Sequence, residues 1–289
     1  MLTTPVASIL HRTLKKEKLN VLFFSTDPYF EINLSKTGHN FYAWTNEYPN
    51  AWPSNLEKPV NLTELDKDQN KIPNHLSFDI ILCQDRGRQY DLATEIGKVL
   101  HVPKIVYTNV LPQNYGNNPA MFQKTGDIDI FSSEQIRDAW RGLGYVINLA
   151  AESKEYSPIT EVKVYVNEIT DKVVPLQEHV NITTTGNVYI NIYGPALFQS
   201  TLNAMAAGHI PIVLSSPENQ EIIKHGSNGF LCNNLQEVIG AIHLLEEQNK
   251  IANDMAFDAY RTALDKTMEQ FLEEWNNVLF STQDIIYMR

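Results

Sequence analysis

The residues best suited to chemistry lie between Asn187 and Leu231. Val188 to Ile192 is a β-branched and aromatic run and Gly194-Pro195 breaks it. Leu197 to Ala207 then has helical spacing, with Phe198, Leu202, Met205 and Ala206 on one stripe. A loop of Gly194, Pro195, Ala196 and Leu197 that opens a helix presents unpaired backbone N–H groups and a positive dipole end, a setting that suits phosphate. Ser200 and Asn203 fall in or near the first two turns, offering a hydroxyl and an amide to a ligand's polar groups. A second set follows two apolar runs nearer the start. Thr26 and Asp27 come after LNVLFFS, at the end of a strand where open parallel sheets keep their ligands; Asp27 also reads as a plain helix cap. Arg86 and Arg88 come after FDIILC, where a guanidinium could grip a phosphate or acidic group or simply lie on the surface.

These residues need a frame, and the chain supplies alternating sheet and helix. Gly208 stops the helix, Ile210 to Leu214 is a second strand, Ser215-Ser216-Pro217 turns, and Glu218 to Lys224 is a short helix. Strand, helix and strand at this spacing predict a parallel pair with a right-handed crossover. Upstream, strands are predicted at Leu19 to Ser25, Asn40 to Trp44, Phe78 to Cys83, Pro103 to Tyr107, Asp127 to Ser132 and Tyr145 to Asn148. Helices are predicted at Tyr29 to Thr37, Tyr90 to Leu100 and Glu134 to Arg141. Glu47 to His75 and Thr108 to Lys124 read as irregular. Val162 to Val166 and Val173 to Val174 read as strand-like pieces. Asn234 to Glu247 is an amphipathic helix with Val238, Ile242 and Leu245 on one face. Ile251 to Phe280 continues helical, with Phe257, Tyr260, Leu264, Phe271, Trp275 and Leu279 as its stripe. The whole is an α/β pattern with two domains, residues 1–150 and 151–289.

Composition narrows the function classes. With 43% apolar and 20% charged residues the 289-residue chain is ordinary for a globular protein, and a net charge of −11 argues against coating nucleic acid. Cys83 and Cys232 have neither zinc-ligand nor disulfide-framework spacing, which fits a reducing cytoplasm. The basic run from His11 to Lys18 follows the apolar residues before it, the wrong order for a signal peptide, and no stretch is apolar enough to span a membrane. There is no Walker A sequence, nucleophile elbow, His-rich metal cluster or helix-opening G-x-G-x-x-G.

The run LNAMAAGHIPIV, followed by ENQEIIKHGSNGFL, resembles the nucleotide-sugar-binding segment of retaining, glycogen-synthase-like GT-B glycosyltransferases. Leu202, Ala204, Met205, Ala206, Gly208, Pro211, Val213, Glu221, Ile222, Gly226, Asn228, Gly229 and Phe230 stand where that pattern has them. NLSKTGHNFYAW, FDIILCQ, LHVPKIVYTNVLPQ and DIDIFSSEQIRDAW are similar, in the same order, to segments of short phage-type members.

The resemblance implies two Rossmann-like domains with parallel sheets, a cleft between them, and a C-terminal helix crossing back to the first domain. It implies transfer of a sugar from a nucleoside-diphosphate donor, with no cofactor and no bound metal, to an unidentified acceptor such as phage-modified DNA or a surface glycan. The diphosphate would lie on Gly194 to Leu197 and Ser200, the nucleoside on Asn203 and Glu218, and the acceptor side would hold Asp27 and Arg86 as catalytic residues. The chain departs from the family in places. Thr26-Asp27 replaces a His-Glu pair, and Pro195 and Asn203 occupy the two glutamate positions of an E-x7-E motif. Those losses motivate the competing expectation, a catalytically degenerate GT-B protein that serves as a binding or partner subunit.

Overall fold

The computed structural model describes residues 18–44, 52, 56–65, 76–152, 154–166, 174–177, 180–183, 185–192 and 198–285. The chain divides into two compact units, one made of residues 1–147 with 272–289 and the other of residues 148–271.

The first unit is built on a parallel sheet of seven strands: β1 (Asn20–Phe23), β2 (Asn40–Ala43), β3 (Leu62–Glu64), β4 (Ile80–Cys83), β5 (Lys104–Thr108), β6 (Ile128–Phe131) and β7 (Tyr145–Val146). Their order is β3-β2-β1-β4-β5-β6-β7. The central strands β1, β4 and β5 are almost wholly buried, as apolar runs such as VLF and IILC require when helices cover both faces. Around them lie α1 (Pro28–Ser35), α2 (Arg88–Leu100), α3 (Pro119–Phe122) and α4 (Glu134–Ala139). Short β3 lies inside the segment read as irregular, and a 3₁₀ turn (Pro112–Tyr115) and α3 punctuate 108–124.

The second unit carries a five-stranded parallel sheet: β8 (Val164–Tyr165), β9 (Ile182–Thr183), β10 (Val188–Asn191), β11 (Ile210–Leu214) and β12 (Phe230–Cys232), in the order β12-β11-β10-β8-β9. Its helices are α5 (Val174–Gln177), α6 (Phe198–Ala206), α7 (Pro217–Ile222), α8 (Leu235–Glu247) and α9 (Asn249–Leu264). Val174, expected in a strand, instead opens α5, because Pro175 suits the first turn of a helix and cannot donate to a sheet ladder. Val173 lies outside the described residues. On α8 the expected face of Val238, Ile242 and Leu245 is fully buried.

The long terminal helix is two helices. α9 ends at Leu264 and α10 runs Met268–Ile285. The stripe also differs over α9: Phe257 and Leu264 are exposed, and the buried face is Ala252, Met255, Ala256, Ala259 and Ala263. Small side chains let α9 pack closely on α6, and that close approach outweighs the larger aromatics. From Leu272 onward α10 belongs to the first unit. There Trp275 is fully buried, its ring 5.6 Å from those of Phe30 and Tyr107.

Candidate functional site

In the first unit the chain runs outward from β1 through β2 to β3, and from β4 through β5 and β6 to β7, so the direction reverses between β1 and β4. A reversal of this kind leaves a crevice at the carboxyl ends of the two strands, the usual ligand position in open parallel sheets. Thr26-Asp27 and Gln84-Asp85 occupy the loops beside it.

Asp27 is the N-cap of α1. Its Oδ1 accepts from Tyr29 N at 3.1 Å and Phe30 N at 3.3 Å, with Pro28 in the first helical position. The cap reading is thus observed, and the cap lies beside the crevice. Burial pushes its carboxyl up to about 6, against the two backbone hydrogen bonds.

One turn into the helix, Glu31 reaches back and closes the crevice floor. Its Oε1 accepts from Thr26 N at 2.6 Å, Asp27 N at 3.1 Å and Gln84 Nε2 at 3.1 Å, and its Oε2 from Ser25 Oγ at 2.8 Å. Gln84 also donates to Phe24 O, and Gln89 Nε2 donates to Thr26 Oγ1 at 2.7 Å, which ties the two loops together. Burial raises Glu31 to about 7, and the Asp27 charge adds to the rise. Two carboxyls that change protonation near neutrality, beside a crevice, can hold or accept a proton there. Sequence reading missed Glu31. The available signal was its place four residues after Asp27, where an acidic side chain can turn back on the helix start.

Arg86, expected on the acceptor side, has its guanidinium held inside the unit: Nε donates to Thr108 Oγ1 at 2.9 Å, Nη1 to Lys124 O and Nη2 to Asp129 Oδ1 at 3.0 Å. The group lies over Trp140, 4.8 Å from its centroid, and only 3% of the side chain is exposed. A buried guanidinium must have its donors met, and here Thr108 at the end of β5, Lys124 in the loop before β6 and Asp129 of β6 meet them. Arg88 is exposed at the first position of α2.

In the second unit the reversal falls between β8 and β10. Gly194, Pro195, Ala196 and Leu197 lie outside the described residues. Ser200, expected at the diphosphate, is buried, and its hydroxyl shares a 2.8 Å hydrogen bond with the Tyr189 hydroxyl of β10. Asn203 is half-buried and accepts from Gln199 Nε2 at 2.9 Å. Gln199 also donates to Ala150 O at 2.7 Å, while its buried Oε1 has no partner among the described residues. Glu218 has its backbone in the first turn of α7, and its side chain lies outside the described residues.

Next to it Asn219 is buried, donates Nδ2 to Leu214 O at 2.8 Å, and leaves a buried Oδ1 without a partner among the described residues. The sequence offered no sign of Gln199 or Asn219 beyond their polarity on otherwise apolar faces. The Asn228-Gly229 pair of the motif is structural: Asn228 bonds Lys224 N, Ile222 O and Thr262 Oγ1 within the unit. Among the described residues no group of three or more His, Cys, Asp or Glu could hold a metal ion.

No family model matches the chain. Over 82 residues it is 33% identical to an uncharacterized glycosyltransferase of Haemophilus influenzae, a match that takes in 27% of this chain and 23% of the relative's length. Solved structures with the same fold extend over nearly all of it. Anabaena HepE in complex with UDP-glucose superposes with a TM-score of 0.63, 11% identity and coverage of 91% of this chain and 100% of HepE. Sucrose-phosphate synthase from Thermosynechococcus elongatus gives a TM-score of 0.66, 11% identity and coverage of 90% and 98%. A glycosyltransferase from Rickettsia africae gives 0.55 with 11% identity and coverage of 92% and 99%. The fold is of GT-B type. No helix of the described residues is long and apolar enough to cross a membrane.

Proposed function

We propose that this chain is a glycosyltransferase that moves a sugar from a nucleoside-diphosphate donor to an acceptor. The observation that carries the reading is the likeness, over 91% of the chain, to a structure holding UDP-glucose. The local identity with a glycosyltransferase adds to it. In this reading the donor lies at the carboxyl edge of the second sheet, where α6 begins, and Asn203 hydrogen-bonds the ribose through an amide that both donates and accepts. The leaving diphosphate is stabilised by backbone N–H groups and the helix dipole, with no metal ion, and the product keeps the donor's anomeric configuration. On the acceptor side Asp27 orients or deprotonates the attacking group, backed by Glu31. Arg86 is left out of the chemistry because its nitrogens are committed inside the unit.

A thermal-shift and hydrolysis screen against nucleoside-diphosphate sugars, beginning with UDP-glucose, tests this. A donor present at a hundred times its dissociation constant stabilises the fold by about 2.7 kcal/mol. Stabilisation by one donor with slow release of its sugar supports the reading and names the donor. No shift with any donor overturns it in favour of the degenerate partner subunit. An acceptor of phage-modified DNA would show binding that weakens steeply with salt, and a surface glycan would not. Asn203→Ala is expected to weaken donor binding about tenfold, and unchanged affinity would remove the ribose role.

A further inference from the structure

The first unit contains a cavity of about 600 Å³ at the amino-terminal edge of its sheet, away from the loops beside β1 and β4. Its walls are the second half of α2 (Thr94 and Lys98) with its C-cap His101, the entry to β5 (Lys104), and the turn before β6 (Thr125 and Asp127). Lys104 is the unusual member. It is 8% exposed, its Nζ donates to Thr94 Oγ1 at 2.5 Å and lies 3.4 Å from the Tyr90 ring centroid, and it forms no ion pair among the described residues.

The acids around it act on its ammonium from a distance and make their hydrogen bonds and ion pairs with other groups. Asp91 pairs with Lys124 at 2.8 Å, Asp129 with Arg86 at 3.0 Å, and Asp127 Oδ2 accepts from the backbone N of Lys104 at 2.8 Å. Burial accordingly pulls the Lys104 ammonium below its ordinary value. Lys98 and His101 add two exposed basic groups on the rim, with no hydrogen-bond or ion-pair partner among the described residues. An ammonium has three donors, and one hydroxyl with one aromatic face leaves it short of partners in a place where an unpaired charge is expensive. The carbonyl end of α2 works against an anion, while Lys104 and Lys98 supply two positive charges and His101 a further donor.

We propose that this cavity is a binding site for a compact polyanion, a phosphate or polycarboxylate group of a small molecule, which seats on Lys104 with Lys98 and His101 closing over it. The volume suits a metabolite-sized ligand, and Ala93, Val102 and Pro103 supply an apolar wall for its remaining atoms. The site is independent of the donor reading, because none of its residues belongs to the second unit or to the β1–β4 crevice.

The test follows melting temperature in separate titrations of inorganic phosphate and citrate, with sodium chloride holding ionic strength constant. The expected result is a saturable rise with one of the two, which also identifies phosphate or carboxylate as the preferred chemistry. The rise should disappear in Lys104→Met, and the dissociation constant should weaken about tenfold in Lys98→Ala/His101→Asn, since both side chains are exposed and Asn suits the left-handed helix end at position 101. The double variant keeps the test decisive if Lys104→Met does not fold. Absence of a saturable rise with either anion, or a rise unchanged in the variants, overturns the proposal.

Discussion

Glu31 accepts four hydrogen bonds, and burial still lifts its carboxyl from 4.5 to about 7. An acid that protonates more readily folded than unfolded stabilises the fold fully below its unfolded value, and that contribution is lost as pH rises through the folded one. The loss therefore falls between about pH 4.5 and about pH 7, on the order of 3 to 4 kcal/mol at 1.36 kcal/mol per pKa unit. Glu31→Gln should gain stability relative to the parent across that window, as read from urea midpoints at its two ends; parallel curves would show that Glu31 titrates normally. Arg86→Ala should lose about 3 kcal/mol in the same assay, because it leaves Asp129 without its buried partner. At this scale the sequence was only partly legible. Asp27 could be placed at a strand end from the LNVLFFS run alone, but the direction in which Arg86 points depends on Thr108, Lys124 and Asp129, which reach it only through the fold.

Among the elements, those whose ends carry local chemistry were the most legible. Gly208 was read as the stop of α6, and the helix ends there in paired hydrogen bonds from Gly208 N to Met205 O and from His209 N to Ala204 O. Its φ of 75° is left-handed, and an added Cβ would lie 2.9 Å from the Tyr156 ring. Gly208→Ala should therefore lower unfolding stability by at least about 1 kcal/mol, and a neutral result in chemical denaturation would show that Tyr156 yields freely. The strand at Ile210–Leu214 matches its apolar run residue for residue. By contrast β9 has two residues, too few for any periodicity, and exists because β8 pairs with it. The break between α9 and α10 carries no glycine or proline; its local sign is Thr267, whose Oγ1 accepts from Gln270 N at 3.3 Å as a helix cap, and the stripe changes there from alanines to Phe271, Trp275 and Leu279.

Across the whole molecule, the parallel α/β pattern of two units was legible because buried strands are written as unbroken apolar runs. The strand order that places Asp27 beside Gln84 was not, since it depends on pairing between distant segments. The tail of α10 completes the first unit, where Trp275 packs against the stacked rings of Phe30 and Tyr107. Trp275→Ala should cost that unit about 3 to 5 kcal/mol and leave the second unit's stability unchanged, seen as an early separate transition in calorimetry; a single transition shifted as a whole would contradict this. The same arrangement matters while the chain is being made. Residues 148–271 are contiguous, whereas the unit begun at Asn20 is complete only once Leu272 and beyond have been made. Until then the ring surfaces of Phe30 and Tyr107 lack their partner, so the earlier-synthesised unit matures later and is the one that would most need a chaperone during translation.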